Sequence, residues 1–409
     1  MVPNVNDNLL PQITSRSNKT PEDIDENEEA IECDNQELAY GAGDAVIALF
    51  IVAPLVVSAW RGTWGIMELH PNMFPYTQIF VLGIVIHVSF ALVRSHLLSR
   101  AQNAWGKQAR AGRWLRERVI CRVYTYIFIL SNIMHWRGGW GLLDLTVASF
   151  VDVGDPHRPV LYAVFIIIFY IIIVWIRSAR NLLASPYFLF TDGKEATYLF
   201  STRFQNQSSR ETALYILDCV FSVTVVGSLV VFVWRGSWAL LDIFLYPDDQ
   251  VKSCWTSLIV GYAIVIITFA AQAPMRWAVA KLQGAPRLLV ADVYHLVSFI
   301  ATVNVWRGIW GLLDIYFYPD SPRLSNWCSH IVSFALLILL NCSNSILVRG
   351  VYIDAEEPAG DCVVFPCHYL RLFFQKERMK KRHKAALANN ATKLPEEASV
   401  PLQMPEEKV

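Results

Sequence analysis

The chain carries the string W-R-G-x-W-x-φ-φ-[DE] four times, where φ is Leu, Ile or Met. The copies are Trp60-Arg61-Gly62-Thr63-Trp64-Gly65-Ile66-Met67-Glu68, Trp136-Arg137-Gly138-Gly139-Trp140-Gly141-Leu142-Leu143-Asp144, Trp234-Arg235-Gly236-Ser237-Trp238-Ala239-Leu240-Leu241-Asp242 and Trp306-Arg307-Gly308-Ile309-Trp310-Gly311-Leu312-Leu313-Asp314. Tryptophan is too rare for four such matches to be coincidence, so one structural unit is repeated. An apolar stretch precedes each copy and another follows it. The unit therefore reads as a helix out, a W-R-G turn, a short loop and a helix back. Tyr-Pro or His-Pro marks the loop in three copies, at His70-Pro71, Tyr246-Pro247 and Tyr318-Pro319.

The apolar stretches have the length a bilayer demands, about 20 residues for a hydrocarbon core of about 30 Å. They fall near 45–65, 76–94, 119–136, 159–177, 214–234, 257–275, 289–306 and 330–348. His135 interrupts the third, and Asp292, His295 and Asn304 interrupt the seventh. Charged residues make up 17% of the chain and apolar ones 54%, whereas a soluble domain carries about 25% charged residues. The fold class predicted is an all-α polytopic membrane protein with eight transmembrane helices in four two-helix repeats. Those repeats run over about 44–96, 119–180, 214–276 and 289–349, within a membrane domain at 44–350. Residues 1–43 include an acidic run from Glu22 to Glu32 and read as a disordered tail. Residues 351–409 read as a second tail with a basic juxtamembrane segment.

Lys and Arg near helix ends set orientation. They crowd the even connections: Arg94 to Arg122, then Arg177 to Arg210, then Arg276 to Arg287; the tail adds Arg371 to Lys384. Both termini and the even connections are thus expected in the cytoplasm, with the chain in the plasma membrane. Three sequons, at Asn18, Asn206 and Asn390, fall on that side, and Asn341 falls within a span.

Within each motif the arginine and the acid are seven residues apart, two helical turns and about 10 Å. Either the chain bends at the glycine or each arginine meets an acid of a neighbouring repeat. The favoured expectation is a ring between repeats, Arg61, Arg137, Arg235 and Arg307 with Glu68, Asp144, Asp242 and Asp314. Plain interfacial anchoring by the paired tryptophans, or an ion or substrate site, are the other readings. A further acid recurs near span starts, at Asp44, Asp218 and Asp292, with Arg122 in the second copy. Cys254 and Cys328 lie in equivalent loops and are expected to form a disulfide. Cys362 and Cys367 are read as palmitoylation candidates beside the basic tail.

Catalytic patterns are weak. Gly41-Ala42-Gly43-Asp44 matches the G-x-G-D string of intramembrane aspartyl proteases, but no partner Tyr-Asp dipeptide exists. Metalloprotease, P-loop, dinucleotide and nucleophile-elbow motifs are missing from the sequence. The chain reads as non-enzymatic, without cofactor, metal or nucleic-acid partner. His87, His135, His295 and His330 lie in or near spans and read as bundle histidines more readily than as a proton relay. The tail from Arg371 to Arg382 mixes aromatics with cations and suits anionic lipid or a calmodulin-like partner.

Four W-R-G-x-W-x-L-L-D copies on an eight-span frame resemble the Fuseless family of invertebrate membrane proteins. The resemblance covers about 44–350, and Met67-Glu68 departs from the Leu-Asp of the other copies. It implies a neuronal, presynaptic organiser that helps position calcium channels and active-zone proteins. The alternative is a secondary transporter or channel-like protein with a polar site between repeats, marked by Asn132, His135, Asn304 and the repeated aspartates. Topology gives the first prediction: Asn18, Asn206 and Asn390 stay unglycosylated in cells, and an endoglycosidase-sensitive mass shift mapped to Asn206 would invert the orientation.

Overall fold

A computed structural model describes residues 39–105, 111–152, 154–192, 202–204, 212–346, 351–370 and 374. The acidic stretch before Ala39, the sequons at Asn18, Asn206 and Asn390 and, Phe374 apart, the basic tail from Arg371 lie outside them. The described residues are helical and contain no strand, only an isolated bridge between Leu189 and Cys367. Eight long helices follow one another: α1 (Ala39–Glu68), α2 (Tyr76–Trp105), α3 (Ala111–Phe150) and α4 (Arg158–Trp175). The second half repeats the plan with α5 (Ala213–Phe244), α6 (Gln250–Ala280), α7 (Gly284–Tyr316) and α8 (Pro322–Leu339).

Helices α1, α4, α5, α6 and α7 are long and apolar enough to cross a membrane, and α2 carries a shorter apolar stretch over Tyr76–Phe90. The chain is a helical, membrane-embedded protein. Local chemistry places the ends. Prolines open α4 and α8, where a missing N–H costs nothing. Asp249 caps α6 by accepting from the Lys252 N–H at 2.9 Å. Arg177 and Asn341, both at positive φ, end α4 and α8, and each is followed by a 3-10 turn.

The odd helices α1, α3, α5 and α7 surround one axis in that order, and the even helices lie outside them. Burial agrees: 61% of the apolar window of α7 is buried, against 11% for α4. Val160, Val164, Ile167, Ile168 and Ile171 of α4 face outward, as residues in contact with lipid do. Each even helix packs on the odd helix of the next repeat. Thus α2 lies on α3, α4 on α5, α6 on α7, and the last helix α8 returns to α1.

Those pairings explain the motif glycine. A Cβ on Gly62 would stand 2.4 Å from the His330 backbone N, one on Gly138 2.6 Å from the Phe80 N, and one on Gly308 2.7 Å from the Leu258 N. Without a side chain, the outer backbone can lie directly on the inner one, the close approach that small residues give membrane helices. Gly308→Val is expected to push α6 off α7 and cost about 1–3 kcal/mol, read as a lower unfolding temperature in detergent. Gly154→Ala, with nothing within 4 Å, should change nothing.

Candidate functional site

The two motif tryptophans lie one turn apart on the same face of each odd helix, and that face points at the axis. Trp60, Trp136, Trp234 and Trp306 form a closed ring of edge-to-face contacts, with neighbouring centroids 5.3, 5.5, 5.4 and 5.6 Å apart. Trp64, Trp140, Trp238 and Trp310 form a second ring, at 5.5, 5.5, 6.0 and 5.8 Å. Each such contact is worth about 0.5–1.5 kcal/mol beyond area burial. Eight of them outweigh any single exposed ion pair. The tryptophans are therefore axial core, and the interfacial-anchor reading is corrected. A cavity of about 190 Å³ lies along the axis between these side chains, with Glu68 and Arg235 also at its wall.

Around the rings, arginines reach back to the preceding repeat. Arg61 Nε donates to Asp314 at 2.7 Å, Arg235 Nε to Asp144 at 2.6 Å and Arg307 Nε to Asp242 at 2.9 Å. The fourth pair, Arg137 with Glu68, does not form. Glu68 instead accepts from Trp64 Nε1 at 2.7 Å. Arg137 Nε is left buried without a partner, while its Nη1 donates to the Phe74 carbonyl at 2.8 Å and its guanidinium lies over the Tyr76 ring. The expected ring is thus broken at the copy whose sequence departs from Leu-Asp. Outer helices complete two of the arginines: Ser325 and Ser329 accept from Arg61, and Ser253 and Ser257 from Arg307. The serine pairs at i, i+4 in α6 and α8 were the legible signal for those contacts.

A cap closes the other end of the bundle. It consists of residues 177–192, following α4, and 341–346 with 351–370, following α8. Sequence placed 351 onward in a tail, but residues 351–370 fold into this cap. Trp60, Trp234 and Trp306 donate their indole N–H groups to the carbonyls of Ile346, Leu182 and Ser185 at 3.1, 3.0 and 2.8 Å. The two segments hold each other. Asp192 accepts from the N–H groups of Ser343 and Asn344, and Asp354 from those of Ala179 and Arg180. Neither aspartate carried a sequence signal.

The repeated residues near helix starts anchor the cap and, through Asp218, the short stretch at 202–204. Asp44 accepts from the Tyr369 N–H at 3.0 Å, Asp218 from the Phe204 N–H at 3.0 Å, and Arg122 pairs with Asp192. Asp292 lies beside His295 and Asp354. The other histidines are built into packing. His330 meets Thr63 and Tyr126, His135 meets Ser228, and His87 packs on Phe128.

The cysteine expectations are corrected too. Cys254 and Cys328 are free thiols, because α6 packs on α7 whereas α8 packs on α1. Cys254 is buried under Gly311 instead. Cys362 and Cys367 are 1% and 4% exposed, and Cys367 donates to the carbonyls of Pro186 and Tyr187, so neither is open to acylation. In the cap, burial beside Asp192 pushes the Cys342 thiol up to about 12.

The Fuseless family model matches residues 40–347, the whole helical ring with all four motifs. The chain belongs to the Fuseless family. No curated protein matches it, and no solved structure does. In this member of the Fuseless family the match takes in the motif ring and the cap residues 177–192 and 341–346.

Two measurements follow. Arg61→Ala and Arg307→Ala should each cost up to about 3 kcal/mol, since each leaves a buried network unpaired, while Arg137→Ala should cost less; unfolding in detergent gives the order. In native protein a maleimide should label Cys328 and spare Cys254, Cys342, Cys362 and Cys367 until denaturant is added, as read by site-resolved mass spectrometry.

Proposed function

We propose that the chain is a non-enzymatic eight-pass protein of the plasma membrane, with both termini and the cap on the cytoplasmic side. There it serves as a presynaptic organiser that helps position calcium channels. Family membership supports the synaptic role. The observation that supports a frame rather than a conduit is the axis itself, where a cap seats directly on a closed tetrad through three indole hydrogen bonds. Such a body offers partners a rigid surface at the cap end. The acidic N-terminus and the basic tail supply contacts for channel subunits, anionic lipid or a calmodulin-like protein.

A second reading, a transporter or channel-like protein, is favoured by one feature, the axial cavity of about 190 Å³. The two readings part in one experiment. Full-length protein should co-purify calcium-channel subunits from neuronal membranes and lose them when the basic residues from Arg371 to Arg382 are neutralised. Substrate-dependent flux in liposomes, lost in Trp64→Ala, would instead make the axial cavity a transport site and sink the organiser.

A further inference from the structure

The second and fourth repeats, which feed the two cap segments, correspond position by position. Arg122 and Asp292 stand at the same place, as the motif tryptophans Trp136 and Trp306 show: 136 − 122 and 306 − 292 both give 14. Asp192 and Asp354 likewise correspond, each receiving two N–H groups of the opposite 3-10 turn. So do Asn341 and Arg177, whose side chains donate to the carbonyls of Asp192 and Asp354 at 2.5 and 2.6 Å.

One half of the cap is electrostatically complete, because Arg122 pairs with Asp192. The other half has a carboxylate in the arginine's place. Asp292 faces Asp354, and His295 stands one turn further along α7, where the second repeat has Thr125. One ligand atom from each of Asp292, His295 and Asp354 lies within 4.8 Å of the others. These residues are 4%, 1% and 0% exposed. Asp292 Oδ1 has no hydrogen-bond partner, and the His295 ring has no side-chain partner, only the Cys362 backbone beside it.

Two buried carboxylates at this distance repel each other, and a shared proton or a cation between them relieves the repulsion. Arg177, Arg180 and Arg203 are the positive groups around the cluster, and Tyr170 is a further titratable neighbour. Arg177 is engaged with the Asp354 carbonyl, Arg180 with Glu357 and the Val364 carbonyl, and Arg203 with the Ile176 carbonyl and the Phe204 ring. None of the three forms an ion pair within 4.0 Å of Asp292 or Asp354 among the described residues.

We infer that Asp292, His295 and Asp354 form a structural site for a divalent transition metal of the zinc class, filling the place Arg122 holds in the other half. Chemistry selects the ion. Calcium and magnesium favour sets of six or more oxygens, whereas one imidazole nitrogen with two carboxylates suits zinc and its first-row neighbours. The D-x-x-H spacing presents two ligands on one helix face, and Asp354 brings the third from the segment after α8. The metal would tie α7 to that segment as Arg122 ties α3 to the segment after α4. This inference is independent of the organiser role.

The test is metal content of the full-length protein, purified without chelator from zinc-supplemented cells and measured by inductively coupled plasma mass spectrometry. About one zinc per chain is expected, with a loss of about tenfold or more in His295→Ala and Asp292→Asn, against no loss in Asp155→Asn. Zinc, and not magnesium or calcium, should raise the unfolding temperature of chelator-stripped protein. Should those variants fail to fold, Asp292→Arg restores the pairing of the other half and should give a folded, zinc-free protein whose stability ignores chelator. Wild type that carries no transition metal and gains no stability from zinc would overturn the site, as would a folded Asp292→Arg that keeps its zinc.

Discussion

Two rings of edge-to-face indole contacts on one axis determine where every other part of this molecule sits. Each tryptophan offers an edge to one neighbour and a face to the other, an arrangement that closes with four members and holds four helices at a common height. Because indole carries a single N–H, the inner ring still has donors to spend. Three of them reach the cap carbonyls. The same residues thus make the core and specify what seats upon it.

Around that centre the symmetry is fourfold in packing but twofold in chemistry. Only the second and fourth repeats send chain into the cap. Among the described residues, only α1 and α5 carry a π-helical segment, at Ala48–Val52 and Ser222–Gly227, four residues beyond Asp44 and Asp218. The extra residue of a π-turn shifts the helix start relative to the motif, so anchors in alternate repeats meet different partners. The broken Arg137–Glu68 link lowers the symmetry once more: Glu68, a methylene longer than aspartate, reaches Trp64 of its own helix instead.

Much of this was legible in the sequence. The repeat gave the helical units, and the two-turn offset between arginine and acid forced the pairing between repeats, seen at Arg61, Arg235 and Arg307. The tryptophans were misjudged because a ring suited to a membrane interface is equally suited to an axial core, and composition does not distinguish the two. The cap was invisible because its residues have no periodicity, and the two segments that hold each other lie more than 140 positions apart, as Asp192 and Ser343 do. The expected Cys254–Cys328 disulfide failed for a topological reason: equivalent loops in a ring are neighbours in sequence logic, but each rides on a different inner helix.

The pairing of each outer helix with the next repeat gives the ring an order of completion. During synthesis, α2 finds α3, α4 finds α5 and α6 finds α7 as each inner partner emerges. The face of α1 bearing Gly62 and Gly65 must wait for the last helix, since the atoms that fill it belong to Asn326 and His330 of α8. The 3-10 turn after α4 waits as well, since its partner segment follows α8 and the two are tied through Asp192 and Asp354. A nascent chain therefore carries an open seam until almost its whole length has been inserted. Any truncation before α8 leaves a glycine-lined groove on the first helix, a natural handle for the chaperones that hold unfinished membrane proteins.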